Sequence, residues 1–62
     1  MNQIQFSFKV YKEKTSLEKL KGVLENNKHL FKGTFVEEHD YYWVTVTEAA
    51  PGVDNIDILN YF

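Results

Sequence analysis

Glu37-Glu38-His39-Asp40 is the one stretch of this chain that gathers side chains able to hold a cation or move a proton. Carboxylates are hard oxygen ligands, and an imidazole titrates near neutrality, so the residue types allow metal or acid–base chemistry. Their setting points elsewhere. The four residues are consecutive and separate two runs rich in β-branched and aromatic residues, Thr34-Phe35-Val36 and Tyr41-Tyr42-Trp43-Val44-Thr45-Val46-Thr47. A hairpin turn needs polar residues at that place whatever else they do. The second histidine, His29, belongs to no H-E-x-x-H spacing. Ser7 lies on the polar side of an alternating stretch, with no base in view to activate it. With no cysteine there is neither a thiolate ligand nor a disulfide, and no glycine-rich phosphate loop occurs. The chain therefore reads as a non-enzymatic protein without metal or cofactor.

The more informative residues are aromatic. The two runs read as strands, because branched and planar side chains fit a pleated, half-buried surface. A loop of two residues (Glu38-His39) or of four (Glu37 to Asp40) sets Phe35 opposite Tyr42, Val36 opposite Tyr41 and Thr34 opposite Trp43. No Asn-Gly or Asp-Gly is present for a primed turn, which favours the longer loop. Alternation then turns Phe35, Tyr42, Val44 and Val46 to one side, and Val36, Tyr41, Trp43, Thr45 and Thr47 to the other. The first set looks like core. The second is rich in aromatic area for a face turned to water.

These faces need a scaffold, and the N-terminal half supplies one. Residues 3–11 alternate with period two, Ile4, Phe6, Phe8 and Val10 against Gln3, Gln5, Ser7, Lys9 and Tyr11. That is a strand with one dry face and one wet face, as in an antiparallel sheet. Thr15-Ser16-Leu17-Glu18 has the form of a capping box with Thr15 as the cap. It opens a helix whose stripe is Leu17, Leu20, Val23 and Leu24. Lys21 and Glu25 stand at helical i,i+4 spacing. Gly22 implies a close approach to the sheet or a bend, and Asn26-Asn27 ends the helix in the left-handed conformation that Asn tolerates. Gly33 marks a bulge or a close backbone approach, and Pro51-Gly52 a type II turn. In residues 53–62, Ile56, Ile58, Asn60 and Phe62 alternate as in an edge strand. Val53, Ile56 and Leu59 would line a short helix, but Asp, Asn and β-branched residues are poor helix formers, so a strand is expected.

Assembled, residues 1–62 are expected to make a single small α+β domain. One helix packs on one face of a mostly antiparallel sheet, in the order β-α-β-β, with a fourth strand at the C-terminus. The expected core is Ile4, Phe6, Phe8, Val10, Leu17, Leu20, Leu24, Phe35, Tyr42, Val44, Val46 and Ile56. A chain of 62 residues without cysteine must draw its stability from that core, an oligomer or a partner. No long apolar run spans a membrane and no signal-peptide pattern opens the chain, so a cytoplasmic protein is expected.

Charge is divided along the chain. Residues 1–32 carry all seven lysines and three glutamates, a net +4, while residues 33–62 carry six acids and no lysine, a net −6. Either the fold mixes these charges, or it presents a basic and an acidic side. Arginine, the bidentate gripper of phosphate, is absent.

Two functional classes follow. The favoured one is a protein-binding module, a small inhibitor or a regulatory or accessory protein. Tyr11, Val36, Tyr41 and Trp43 would form its contact surface, with Glu37, Glu38 and Asp40 as an acidic rim suited to a basic partner. A homodimer through the same face belongs to this reading, and the Lys- and Asn-rich, cysteine-free composition also suits accessory proteins of phages and mobile elements. The second class is single-stranded nucleic-acid binding, with bases stacked on the same aromatics and Lys9, Lys12 and Lys32 near the backbone. The missing arginines and the negative charge weigh against it. Both readings fail if Leu59, Tyr61 and Phe62 fold over the aromatic face and bury it.

Overall fold

The computed structural model describes residues 1–62. Strand β1 (Asn2–Tyr11) is followed by a single 3-10 turn at Lys12–Lys14 and helix α1 (Leu17–Asn26). A hairpin follows, of strand β2 (Phe31–Glu37) and strand β3 (Tyr41–Ala49), and the chain closes on a short helix α2 (Asn55–Leu59). The α+β arrangement read from the sequence holds: β1 and β2 both pair antiparallel with β3, which lies between them. β1 and β2 are therefore parallel to one another, a β-α-β unit split by the inserted third strand.

The period-two alternation of β1 becomes a burial pattern, with Ile4, Phe6 and Phe8 half-buried, Val10 buried, and the residues between them exposed. On β3 the same alternation buries Tyr42, Val44 and Val46. Two irregularities sit level with Thr47: β1 gains a residue on β3 between Gln3 and Phe6, and β3 gains one on β2 between Lys32 and Gly33. The extra residue lets Ala49 join Tyr42, Val44 and Val46 on the buried side. Gly33 is required there, since a Cβ would stand 2.6 Å from the Thr45 carbonyl oxygen. The expected bulge and the expected close approach are the same feature.

The hairpin register differs from the expectation by two residues. Phe35 pairs with Val44, Val36 with Trp43 and Thr34 with Thr45, because the turn falls on His39-Asp40. Backbone N–H of Glu38 donates to the Tyr41 carbonyl at 2.8 Å. No residue but Gly52 has a positive φ, so this short turn is not of the primed kind. A slip of two keeps every side chain on its face, which is why the assignment of faces survives.

Helix α1 starts one residue later than expected. Ser16 is its cap, with Oγ accepting from the Lys19 N–H at 3.1 Å, and Thr15 stands outside. Asn27 ends it with its side chain: Nδ2 donates to the Val23 carbonyl at 2.8 Å, at a φ of −119°. Glu25 pairs with Lys28 at 3.0 Å, not with Lys21. Leu20 is fully buried, with Val23 and Leu24 packed on the core, while Leu17, the first residue of the helix, is 37 % exposed. At Gly22 a Cβ would meet only the Asn26 side chain, 3.9 Å away, so neither close packing nor a clash demands glycine there.

The fourth strand expected at the C-terminus is replaced by α2. Ala50-Pro51-Gly52-Val53 forms the type II turn read from the sequence, with Gly52 at φ 85° and the Val53 N–H donating to the Ala50 carbonyl. The Asp57 carboxylate then accepts from the Asp54 N–H at 2.9 Å, closing the first turn of the helix. Poor intrinsic propensity is overridden by burial: Ile58 is fully buried, while Ile56, expected in the core, is 71 % exposed. The cause is geometric. A ten-residue helix is about 15 Å long, and a ten-residue strand about 33 Å. Helix α1 lies against β2 and leaves the β1 side of the inner face open. There α2 and Phe62 close it, with the Phe62 ring 5.2 Å from Phe8 and 6.1 Å from Phe31. Fully buried Phe31 and Ile58, absent from the expected core, are the residues through which this C-terminal cover is attached.

Candidate functional site

The side of the sheet away from both helices carries the outward positions of all three strands. Its geometry follows from the register. Trp43 is paired with Lys9 on β1 and Val36 on β2, and Tyr41 with Tyr11 on β1. The Tyr11 and Tyr41 rings are 5.9 Å apart and Tyr41 and Trp43 6.4 Å, near edge-to-face. The Lys9 ammonium lies 4.6 Å from the centre of the Tyr41 ring, within reach of its electron-rich face. No part of the chain covers this ladder: Tyr11 is 46 % exposed, Trp43 39 % and Val36 58 %. The C-terminal residues that would have hidden it pack on the opposite face.

The aromatic end is half of the surface. The next row is Ser7, Thr45 and Thr34, with Ser7 Oγ and Thr45 Oγ1 3.0 Å apart; Gln5 and Thr47 sit at the bulge beyond it, and Gln3 and Lys32 then both pair with Glu48. One flat face thus has a tall aromatic half near the hairpin turn and a short hydroxyl-bearing half away from it. Lys9 and this hydroxyl row were legible in the alternation of β1 and β3. Their adjacency to Trp43 needed the register.

The acidic residues at the turn do not form a common rim. Glu37 projects on the inner side, where its carboxylate accepts from the Lys12 ammonium at 2.6 Å. The Lys12 side chain is partly covered, and its ammonium lies 5.3 Å from the centre of the Tyr42 ring. The hydrogen bond that Lys12 donates to Glu37 raises the Lys12 pKa above its usual value. Glu37 is thereby spent on a structural contact between the turn and the segment after β1. Glu38 is the acid on the aromatic side. Asp40 lies in the turn itself, its carbonyl accepting from the Lys12 N–H and its carboxylate 3.6 Å from His39 Nε2 in full solvent.

No three His, Asp or Glu side chains converge on a point, and no buried polar side-chain atom lacks a partner. The depressions in the surface are shallow and open. The largest, about 570 Å³, runs between α1 and β2 and is lined by Lys21, Lys28 and Lys32 over Leu24 and Phe35. The fold therefore mixes the two charged halves of the sequence at Lys12–Glu37 and at the cross-strand neighbours Lys32 and Glu48, and the groove beside α1 holds Glu25 among its lysines.

No protein-family model, curated protein or solved structure matches the chain.

What the site can do is then set by its own surface. It offers aromatic area beside Lys9 and Glu38, a row of hydroxyls, and Lys32 with Glu48 at the far end of the sheet. No helix is long and apolar enough to cross a membrane.

Proposed function

We propose that this chain is a non-enzymatic protein-binding module, of the size of a small inhibitor or regulatory accessory protein, and that its contact surface is the outer face of the sheet. One observation carries the reading: Tyr11, Tyr41 and Trp43 form a contiguous ladder that no part of the chain covers. Tyr and Trp bury large area at small cost in side-chain entropy and dominate the energetics of interfaces. A helix-covered inner face beside an uncovered aromatic outer face is the division expected of a domain that keeps one side for a partner. Of the acids once grouped as a rim, Glu38 is the one placed to select that partner's charge. A cysteine-free fold held by its core alone suits a reducing compartment, and this reading places the protein in the cytoplasm.

The test is affinity capture with immobilised wild type and a Trp43→Ser variant, each first shown by circular dichroism to be folded. A protein held by the wild type and released from the variant supports the reading. Equal retention of every captured protein by the variant overturns it.

A further inference from the structure

The outer face can be assigned an occupant from its own dimensions and pattern. Strand spacing and rise give each outward side chain a footprint of about 30 Å², so the three-stranded face is about 400 Å² of plane. A specific interface takes about 600 Å² of accessible surface from each side. The aromatic half alone falls well short of that area, and the whole face approaches it only because the relief of its side chains adds accessible surface to the plane. Only an occupant as broad and flat as the sheet itself uses the whole face, and another β-sheet fits that description.

The residue pattern narrows the choice further. Sheets packed face to face lie about 10 Å apart, and the gap fills best where large side chains meet small ones. The outer face carries both kinds in separate halves. Tyr11, Tyr41 and Trp43 lie at one end, and Ser7, Thr45 and Thr34 follow towards the other. A two-fold axis across the strands, level with the paired row of Phe8, Val44 and Phe35, lays the tall half of one copy on the short half of another. Trp43 then meets Thr45 of the second copy, Val36 meets Thr34, and Tyr11 meets Gln5.

Charge follows the same symmetry. Along β2 and the turn, the outward positions are Lys32, Thr34, Val36 and Glu38, basic at one end and acidic at the other. The same rotation sets Lys32 over Glu38 of the second copy and repeats the pair at the other end, as an isologous interface must. In the free chain the Lys32 side chain lines the groove beside α1 and its cross-strand neighbour is Glu48, so this pairing requires the exposed Lys32 side chain to change rotamer and turn over the face.

Resting on the protein-binding reading, we infer that the occupant of the outer face is a second copy of this chain, sheet against sheet about that axis, with two reciprocal Lys32–Glu38 pairs. All five phenylalanines lie on the inner side, partly or fully buried, while the outward aromatics are Tyr and Trp, which carry a polar atom. Such a face tolerates water when the copies separate, so the dimer exchanges with monomer.

Sedimentation equilibrium of the full chain tests this. Wild type is expected to dimerise, and Lys32→Glu and Glu38→Lys are each expected to weaken the dimer about tenfold or more by setting like charges opposite one another. The exchanged double variant, Lys32→Glu with Glu38→Lys, restores the complement and recovers most of the loss. A folded Trp43→Ser chain is monomeric. A wild type that stays monomeric at millimolar concentration overturns the inference, as does a double variant no better than either single one. In both of those cases Trp43-dependent capture of a different protein still upholds the broader reading, so the two failures are distinct.

Discussion

Both faces of the sheet carry aromatic rings, six on the inner and three on the outer, and they have opposite fates. The inner face gathers Phe6, Phe8, Phe31, Phe35, Tyr42 and Phe62 under α1 and α2, with Leu20, Val44, Val46 and Ile58 fully buried among them. The outer face holds Tyr11, Tyr41 and Trp43 under nothing. The difference lies in what surrounds the rings. The inward positions of the strands are apolar apart from Gly33 and the terminal Asn2 and Glu37, and no buried polar side-chain atom is left without a partner. On the outer face the rings alternate with Lys9, Ser7, Thr34, Thr45 and Glu38, whose desolvation has to be matched by partner groups. Aromatic content alone does not make a core; uninterrupted apolar surroundings do.

This contrast can be broken by substitution, and the largest effects belong inside. Phe31→Ala is expected to cost about 3–5 kcal/mol, because the ring is fully buried and holds both Tyr61 and Phe62 in place. With eight buried residues in all, a loss of that size leaves little of the fold, and urea denaturation measures it directly. Next comes Gly33→Ala, at about 1–3 kcal/mol, since the new methyl must displace the Thr45 carbonyl, a backbone group that cannot rotate away. Gly22→Ala should move the other way, raising stability by up to about 1 kcal/mol, as nothing stands within 3.9 Å of the added atom. A destabilised Gly22→Ala chain would show that α1 packs more closely than described.

On the outer face, Trp43→Ser is expected to change the stability of the dilute monomer by about 1 kcal/mol or less while abolishing binding. Were its unfolding midpoint to fall as far as that of Phe31→Ala, the two faces would not differ in kind. The smallest effect concerns pH. Because the folded state raises the Lys12 pKa above its ordinary value of 10.5, the Lys12–Glu37 contact contributes stability below that value and loses it as pH climbs through the raised one. Lys12→Met should melt slightly lower than wild type at neutral pH, and the gap should close above the lysine range. The gap is small because both groups face water.

Much of this was legible in order along the chain. The alternation in β1 and β3 specified which side chains share a face, and an even slip in register could not undo it. The helix stripe of Leu20, Val23 and Leu24 and the Pro51-Gly52 turn could be read locally, because periodicity and φ preference are properties of neighbours. Glu37 and Ile58 could not. The first was grouped with Glu38 and Asp40 by adjacency, yet alternation turned it inward to Lys12, twenty-five residues earlier in the chain. The second was assigned to a strand by its neighbours' propensities, and became the buried anchor of a helix.

The sequence by itself determined the faces, because a period of two survives any packing. Only the tertiary structure decided on which face the C-terminal residues would lie. That choice depended on the length of α1, too short to roof the sheet, and on where the turn after β3 released the last ten residues of the chain. They went to the side where Phe8, Phe31 and Val46 were already dry. Burying Ile58 and Phe62 there required no hydrophilic group to give up water, whereas covering Trp43 would have required Lys9 and the threonines beside it to do so.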